Sequence, residues 1–296
     1  MDKLKKAGKL MCIIGGAILI IGAVVFACGM TAEGWDLTRL STVRYVEREF
    51  VQGDEEINAV DLHFRNSNVE IVVSDDVQSI TLTYPVREDD DGTTAEVLDG
   101  KLTLEEEARG FDLFAWDFGA PAAKLTLPSD ALIPVKVRTE NGNVTVSSAE
   151  YAAIEVETDN GNITIKDVEC VSLDAQTDNG NITIGSLTCA DGMTAETDNG
   201  NITATGGITA QSVTASGDTG NIELKGGTVT ATRIELRTDV GNIRATLAGN
   251  VRDYTVTATT DVGDSNISDG GDGRFAPTVT TNVGDVDIAF ARRYYR

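Results

Sequence analysis

The stretch Thr-Asp-Asn-Gly-Asn-Ile-Thr-Ile occupies residues 158–165 and recurs unchanged at residues 177–184. Near-copies begin at Thr139 and Thr197, and looser copies follow towards the C-terminus. The glycine of the motif marks a series with spacings of 19 to 22 residues: Gly142, Gly161, Gly180, Gly200, Gly220, Gly241, Gly263 and Gly284. A unit of this period buries its apolar face only by stacking on its neighbours. The sequence therefore predicts a stack of coils.

Apolar residues recur at fixed distances from each marker glycine. In the repeat of Gly161 they are Ile163 and Ile165 after it, and Ile154 and Val156 before it. Each pair alternates with polar neighbours, which is the pattern of a strand with one buried face. The chain is only 5% aromatic and holds 30 glycines. We therefore predict an all-β fold, a single-chain β-solenoid with coils of about 20 residues and two short strands each.

The repeats extend over about residues 129–290, and residues 57–128 form an N-terminal β region of the same solenoid. Asn-Gly between strands predicts a tight turn with positive φ at the glycine. The residue after each glycine is predicted to stack in a column of hydrogen-bonded amides. Its members are Asn143, Asn162, Asn181, Asn201, Asn221 and Asn242, then Asp264 and Asp285.

An acidic row stands two residues before the glycines. It begins at Glu140 and continues with Asp159, Asp178, Asp198, Asp218, Asp239 and Asp261. Like charges at strand spacing repel, which favours a counter-ion, and carboxylates are calcium ligands. The period of 19 to 22 does not match the calcium-binding nonapeptide repeat. Two interpretations stay open, a solvated row of turn residues and a row of calcium sites. No other cofactor is predicted.

Cys170 and Cys189 each follow a marker glycine by nine residues. They therefore occupy equivalent positions in adjacent coils, about 4.8 Å apart along the stack. This spacing is close to the Cα separation that a disulfide tolerates. The pair forms either a disulfide or two stacked free thiols.

Residues 10–30 contain no charged side chain, and residues 1–9 carry a net charge of +3. A helix of this length spans about 30 Å, the thickness of the hydrocarbon core of a bilayer. We expect a single transmembrane helix at 10–30 with a cytoplasmic segment at 1–9. Residues 31–296 are then extracytoplasmic, beginning with a linker at 31–56. A cleaved signal peptide and lipidation of Cys28 are the alternatives.

The net charge of −23 argues against nucleic-acid binding, because such a surface repels phosphate backbones. No nucleophile, phosphate-loop or zinc motif is present. His63, the only histidine, lies in an early strand pattern and is interpreted as an ordinary strand residue. The pattern breaks at 105–122, where Phe111, Phe114, Trp116 and Phe118 either cover the core or form a contact patch. Residues 291–296 form a basic tail.

The tandem coils, the single N-terminal apolar segment and Leu127-Pro128 together resemble a bacterial β-strand-repeat family labelled "putative adhesin", a domain of unknown function. The resemblance covers about residues 57–290 and is carried by Thr139-Glu-Asn-Gly-Asn-Val and its following copies. It implies a β-solenoid outside the membrane. Similar membrane-anchored proteins are associated with cell-envelope stress responses.

Three functions remain open at this point. The first is a non-catalytic binding, adhesion or envelope-sensing module, with an envelope protein or surface polymer as partner. The second is a carbohydrate-active enzyme of the cell surface, which would need an isolated Asp/Glu pair in one cleft. The third is a structural spacer. We expect no catalytic residue.

Overall fold

The computed structural model describes residues 2–32, 34, 41–89, 92–107, 120–267, 270 and 273–291. These residues form one helix, one 3₁₀ turn and 21 strands, so the fold is all-β as predicted. The helix and the strands belong to two separate compact units. The aromatic residues Phe111, Phe114, Trp116 and Phe118 and the basic tail after Ala291 lie outside the described residues.

The elements have the following bounds: α1 Asp2–Ala32, β1 Tyr45–Val51, β2 Ala59–Phe64, β3 Val69–Ser74, β4 Thr81–Arg87, β5 Ala95–Leu98, β6 Lys101–Glu105, β7 Ala123–Pro128, β8 Val135–Asn141, β9 Val144–Asn160, β10 Ile163–Asn179, β11 Ile182–Ile184, β12 Leu187–Asn199, β13 Ile202–Ala204, β14 Ile208–Thr209, β15 Ser212–Thr219, β16 Ile222–Thr230, β17 Arg233–Val240, β18 Ile243–Ala248, β19 Thr257–Val262, β20 Thr278–Val283 and β21 Val286–Ala291.

The helix α1 contains the whole apolar segment of residues 10–30. Apolar side chains from Ile18 to Phe26 are exposed along it, with Leu19 at 75%. Judged on the side chains that the structure describes, no helix reaches the length and hydropathy that a membrane crossing needs.

The strands of the repeats stack in parallel, and equivalent apolar residues of neighbouring coils lie opposite each other. In β10, Ile163 pairs with Val144 of the coil before it and with Ile182 of the coil after it. Leu173 likewise pairs with Ile154 and Met193. All these side chains are buried. The two predicted strands of each coil, and the apolar columns that they build, are therefore confirmed.

The coils from Gly142 to Gly241 also have a third strand segment, which the prediction of two strands missed. In β10 it covers residues 168–170 and pairs with residues 149–151 and 187–189. Its inward residues form another buried column: Val168, Leu187, Ile208, Val229 and Leu247. The segment has only two or three residues per coil, too few to show an alternating pattern in the sequence.

The order of the coils along the N-terminal end differs from their order in the chain. Strands β2 and β3 stack directly on β8 and β9, with Val60 opposite Val135 and Val69 opposite Val144. Strands β6 and β7 lie on the other side of β2 and β3. The antiparallel strands β5, β4 and β1 follow outside them. Strands β2 and β3, joined by the turn at residues 66–68, therefore form one coil of the main stack.

The two last coils are also exchanged. Strand β20 pairs with β17 on one side and with β19 on the other. Gly284 consequently lies against Gly241, and Gly263 lies beyond Gly284. The last two coils therefore do not stack in chain order. Because β19 and β20 both have the sequence Thr-x-Thr-Thr-Asp/Asn-Val, the sequence does not show which of the two pairs with β17.

The marker glycines line one edge of the stack at very short distances. A Cβ added to Gly180 would lie 1.8 Å from the carbonyl oxygen of Gly161, and the neighbouring coils repeat this geometry. Gly220, Gly241, Gly263 and Gly284 have φ between 141° and 155°. The predicted positive φ is wrong for Gly142, Gly161, Gly180 and Gly200, which are not among the glycines with a positive φ. At these four positions the close carbonyl alone excludes a side chain.

We predict that Gly180→Ala destabilises the protein by about 3 kcal/mol or more, because a backbone atom cannot move away from the new methyl group without separating two coils. The measurement is the midpoint of denaturant unfolding. Gly207→Ala is the control, since its nearest contact would be 3.6 Å away and ordinary. It should change stability little. Equal midpoints for the two variants would contradict the close stacking.

Candidate functional site

The amides after the marker glycines form the predicted column. The side-chain Oδ1 of Asn162 accepts hydrogen bonds from the backbone N–H and the side-chain Nδ2 of Asn181, at 2.9 and 3.2 Å. Asn181 receives the same two bonds from Asn201. The column starts at Asn68, which accepts both bonds from Asn143. Each amide therefore fixes the position of the next coil along the stack.

Aspartate replaces asparagine only where the column needs no side-chain donor. The N–H of Asp285 donates to Oδ1 of Asn242, and the N–H of Asp264 donates to Oδ1 of Asp285. Both bonds use a side-chain oxygen as acceptor, which aspartate also supplies. These contacts follow the exchanged order of the last two coils.

A second amide column runs one residue before the glycines and was not predicted. Nδ2 of Asn160 donates to Oδ1 of Asn141, and Nδ2 of Asn179 donates to Oδ1 of Asn160. Asn66 begins this column and Asn199 ends it. The repeated Asn-Gly-Asn sequence contains this column, but Asn-Gly between two strands predicts by itself only a turn.

Threonine three residues before the glycine caps the backbone of the neighbouring coil. The hydroxyl of Thr177 donates to the carbonyl of Gly161 at 3.0 Å, and Thr158, Thr197 and Thr238 make equivalent bonds. These threonines are buried. The polar edge of the stack is thus satisfied internally, and its residues are structural.

We predict that Asn181→Asp costs about 1 kcal/mol of stability at neutral pH, because it removes the Nδ2 donor and places a carboxylate oxygen against Oδ1 of Asn162. Asn68→Asp is the matched control, since Asn68 serves the column only as an acceptor. The repulsion requires a charged carboxylate, so the difference between the variants should shrink below about pH 4. Denaturant midpoints measure it, and equal costs at neutral pH would contradict the donor role.

The acidic row does not converge on a site. Asp159, Asp178, Asp198, Asp218 and Asp261 are exposed at successive turns. Glu140 is bound by Arg65 and Asp239 by Arg237. No three His, Cys, Asp or Glu side chains in the described part of the chain are close enough to hold a metal ion. The geometry gives the calcium interpretation no support.

Cys170 and Cys189 face each other in register on the third strand segment. Both are buried, and their Sγ atoms lie 3.1 Å apart as free thiols. The hydrogen bond between them lowers the pKa of Cys170 and raises the pKa of Cys189. The predicted equivalence of the two positions is confirmed. Whether they are oxidised stays a prediction.

We predict that oxidised glutathione converts this pair into a disulfide, while each glutathione disulfide is reduced to two thiols. With Cys12 and Cys28 replaced by serine, so that they cannot form mixed disulfides with glutathione, the intact mass of the folded chain should fall by about two hydrogen masses, because the sulfur atoms are already in contact. Cys170→Ser, the control, cannot form the bridge. A chain with Cys170 and Cys189 that retains both thiols under these conditions would rule out the disulfide.

Among the clefts that the described residues line, two lie towards opposite ends of the stack. The first has a volume of about 370 Å³ and is lined by four carboxylates, Asp61, Glu96, Glu105 and Glu107. Asp61 is paired with Lys101, and Glu105 is hydrogen-bonded to His63. His63 is therefore a strand residue with a carboxylate partner.

The second cleft has a volume of about 390 Å³ and lies beside the turn between β18 and β19. Its lining includes Arg252 and Arg274 together with Tyr254 and Phe275. The guanidinium carbon of Arg274 lies 4.8 Å from the ring centroid of Phe275. No pattern in the sequence had brought these two arginines together.

Three solved structures show the same fold at low sequence identity. A "putative adhesin" from Parabacteroides distasonis is 16% identical with a TM-score of 0.52, over 85% of this chain and 98% of that one. A "putative lipid binding protein" from the same species is 15% identical with a TM-score of 0.52, over 86% and 98%. A "putative adhesin" from Parabacteroides merdae is 15% identical with a TM-score of 0.52, over 85% and 98%.

No curated protein matches the chain. The family model described as Toastrack DUF4097 matches residues 57–289, which include every coil of the stack. This range coincides with the region that carries the sequence resemblance. The chain therefore belongs to the Toastrack DUF4097 family, a domain of unknown function.

Proposed function

We propose that this protein is a membrane-anchored, extracytoplasmic β-solenoid that serves as a non-catalytic binding, adhesion or envelope-sensing module. The observation that carries the proposal is the repetition of outward-facing side chains at one register over successive coils. Thr164, Thr183 and Thr203, each half-buried, are one such row. A surface that presents the same chemistry over several coils suits an extended partner, such as a surface polymer or an envelope protein.

Anchoring by α1 is the second part of the proposal. Its apolar side chains are exposed on successive positions from Ile18 to Phe26, which is unfavourable in water and favourable in lipid. The lysines before the segment favour a cytoplasmic N-terminus. Two proteins of known structure with this fold are called a "putative adhesin" and a "putative lipid binding protein", names that describe binding roles.

Fractionation of bacteria that express the full chain tests the anchoring. We predict that the chain stays with membranes after carbonate washing, and that external protease removes the strands from intact protoplasts. Ile20→Glu with Val24→Glu should release it from the membrane, because buried charges are costly in lipid. Val46→Glu with Val51→Glu is the control, since these valines are exposed in β1. A soluble wild-type chain would refute the anchoring, and a membrane-bound chain that is protected from protease would refute the extracytoplasmic location.

The binding role is tested with the full chain in mild detergent and purified cell-envelope polymer. Saturable co-sedimentation is expected. A chain that co-sediments with neither the polymer nor an envelope-protein fraction would favour a structural spacer.

A carbohydrate-active enzyme is the second candidate, because the acidic cleft places Glu96 and Glu107 in one cavity. Such enzymes use two carboxyl groups in a single cleft. Sugar release from envelope polysaccharide that is lost in Glu107→Gln would favour this alternative. Release of no sugar by the wild type would remove it.

A further inference from the structure

The second cleft, which is lined by Arg252 and Arg274 and is called the arginine cleft below, is supported by packed aromatic side chains. Tyr254 is buried, and its hydroxyl donates to the carbonyl of Ala248 at 2.6 Å. Its ring lies 5.4 Å from that of Phe275 and 5.3 Å from that of Phe290, centroid to centroid. The backbone of Phe275 bonds to that of Asp253 and Thr255. The positions of the two arginines therefore depend on packed aromatic rings.

Gly273 brings the two sides of the cleft into direct contact. A Cβ there would lie 2.1 Å from the backbone nitrogen of Tyr254, so this residue must lack a side chain. Its carbonyl accepts a hydrogen bond from the hydroxyl of Thr255 at 2.9 Å. Arg274, the next residue, is thereby placed at the same cavity as Arg252.

Both arginines lack an ion pair among the described residues, although the chain has 47 acidic and 24 basic residues. Other arginines, such as Arg138, Arg237 and Arg244, are bound by carboxylates. Arg252 and Arg274 are exposed at the cavity. The single described carboxylate in its lining, Asp253, accepts a hydrogen bond from the backbone N–H of Asn250. The described residues that line the cleft therefore carry two positive charges and one negative charge, on a strongly acidic protein.

We propose that this cleft binds a phosphate group. Two guanidinium groups present more donors than one carboxylate can accept, whereas the several oxygens of a phosphate can accept from both. Stacking on Phe275 restricts Arg274 and lowers the entropy that binding would cost. The proposal rests on the binding role proposed above and deepens it by naming the ligand chemistry. The group comes either as free phosphate or as the phosphodiester of a lipid headgroup.

Calorimetric titration of the full chain in mild detergent tests the proposal with two probes, inorganic phosphate and glycerophosphoglycerol, the water-soluble headgroup of phosphatidylglycerol. Saturable heat with either probe is expected at millimolar concentration. Arg252→Gln with Arg274→Gln should weaken it by roughly tenfold or more, because charge-assisted hydrogen bonds are lost. Heat with glycerophosphoglycerol alone assigns a lipid headgroup as the source, and heat with inorganic phosphate assigns free phosphate.

Lys124→Gln with Lys166→Gln is the control, because it removes the same charge from exposed positions on β7 and β10. Its affinity should equal that of the wild type. No heat with either probe, or equal affinity after substitution of the two arginines, would overturn the assignment. A chain that remains anchored and binds envelope polymer but gives no heat with phosphate would reject this inference and leave the proposed function intact.

Discussion

The close approach of one turn to the next is the constraint on which this structure depends. The carbonyl of each marker glycine occupies the space that a Cβ of the next would fill, as between Gly161 and Gly180. This contact lets the threonine hydroxyl reach the carbonyl and lets each amide bond to its neighbour. Apolar columns behind the turns stay in register as a result. Hydrophobic burial supplies the driving force, and the polar edge selects the register.

The same constraint explains why the end coils need not follow the chain order. A coil can stack wherever its glycine, threonine and amide meet those of a neighbour. At the C-terminal end Thr281 donates to Gly241 and Thr260 donates to Gly284. The exchanged coils therefore satisfy the same bonds as the central ones. Both clefts lie near these irregular ends, where connecting segments interrupt the repeated surface.

The sequence alone predicts what repeats often enough to form columns. The glycine row, the first amide row and the apolar rows of the two longer strand segments were all visible as fixed offsets. The third segment was not, because it has only two or three residues per coil, as at Ile208 and Thr209. The role of Asn66 and Asn68 was hidden by the 75 residues that separate them from Asn141 and Asn143. The arginine cleft was hidden for a related reason, since only the fold brings Arg252 beside Arg274.

Stacking according to turn chemistry, and not according to chain order, is tested most directly by engineered disulfides. In a chain whose four native cysteines are replaced by serine, Arg237→Cys is combined with either Thr280→Cys or Thr259→Cys. Arg237 lies opposite Thr280, and Thr259 lies on the far side of Thr280. The account predicts that oxidation links residues 237 and 280 and leaves residues 237 and 259 unlinked. A link between 237 and 259, with none between 237 and 280, would contradict it.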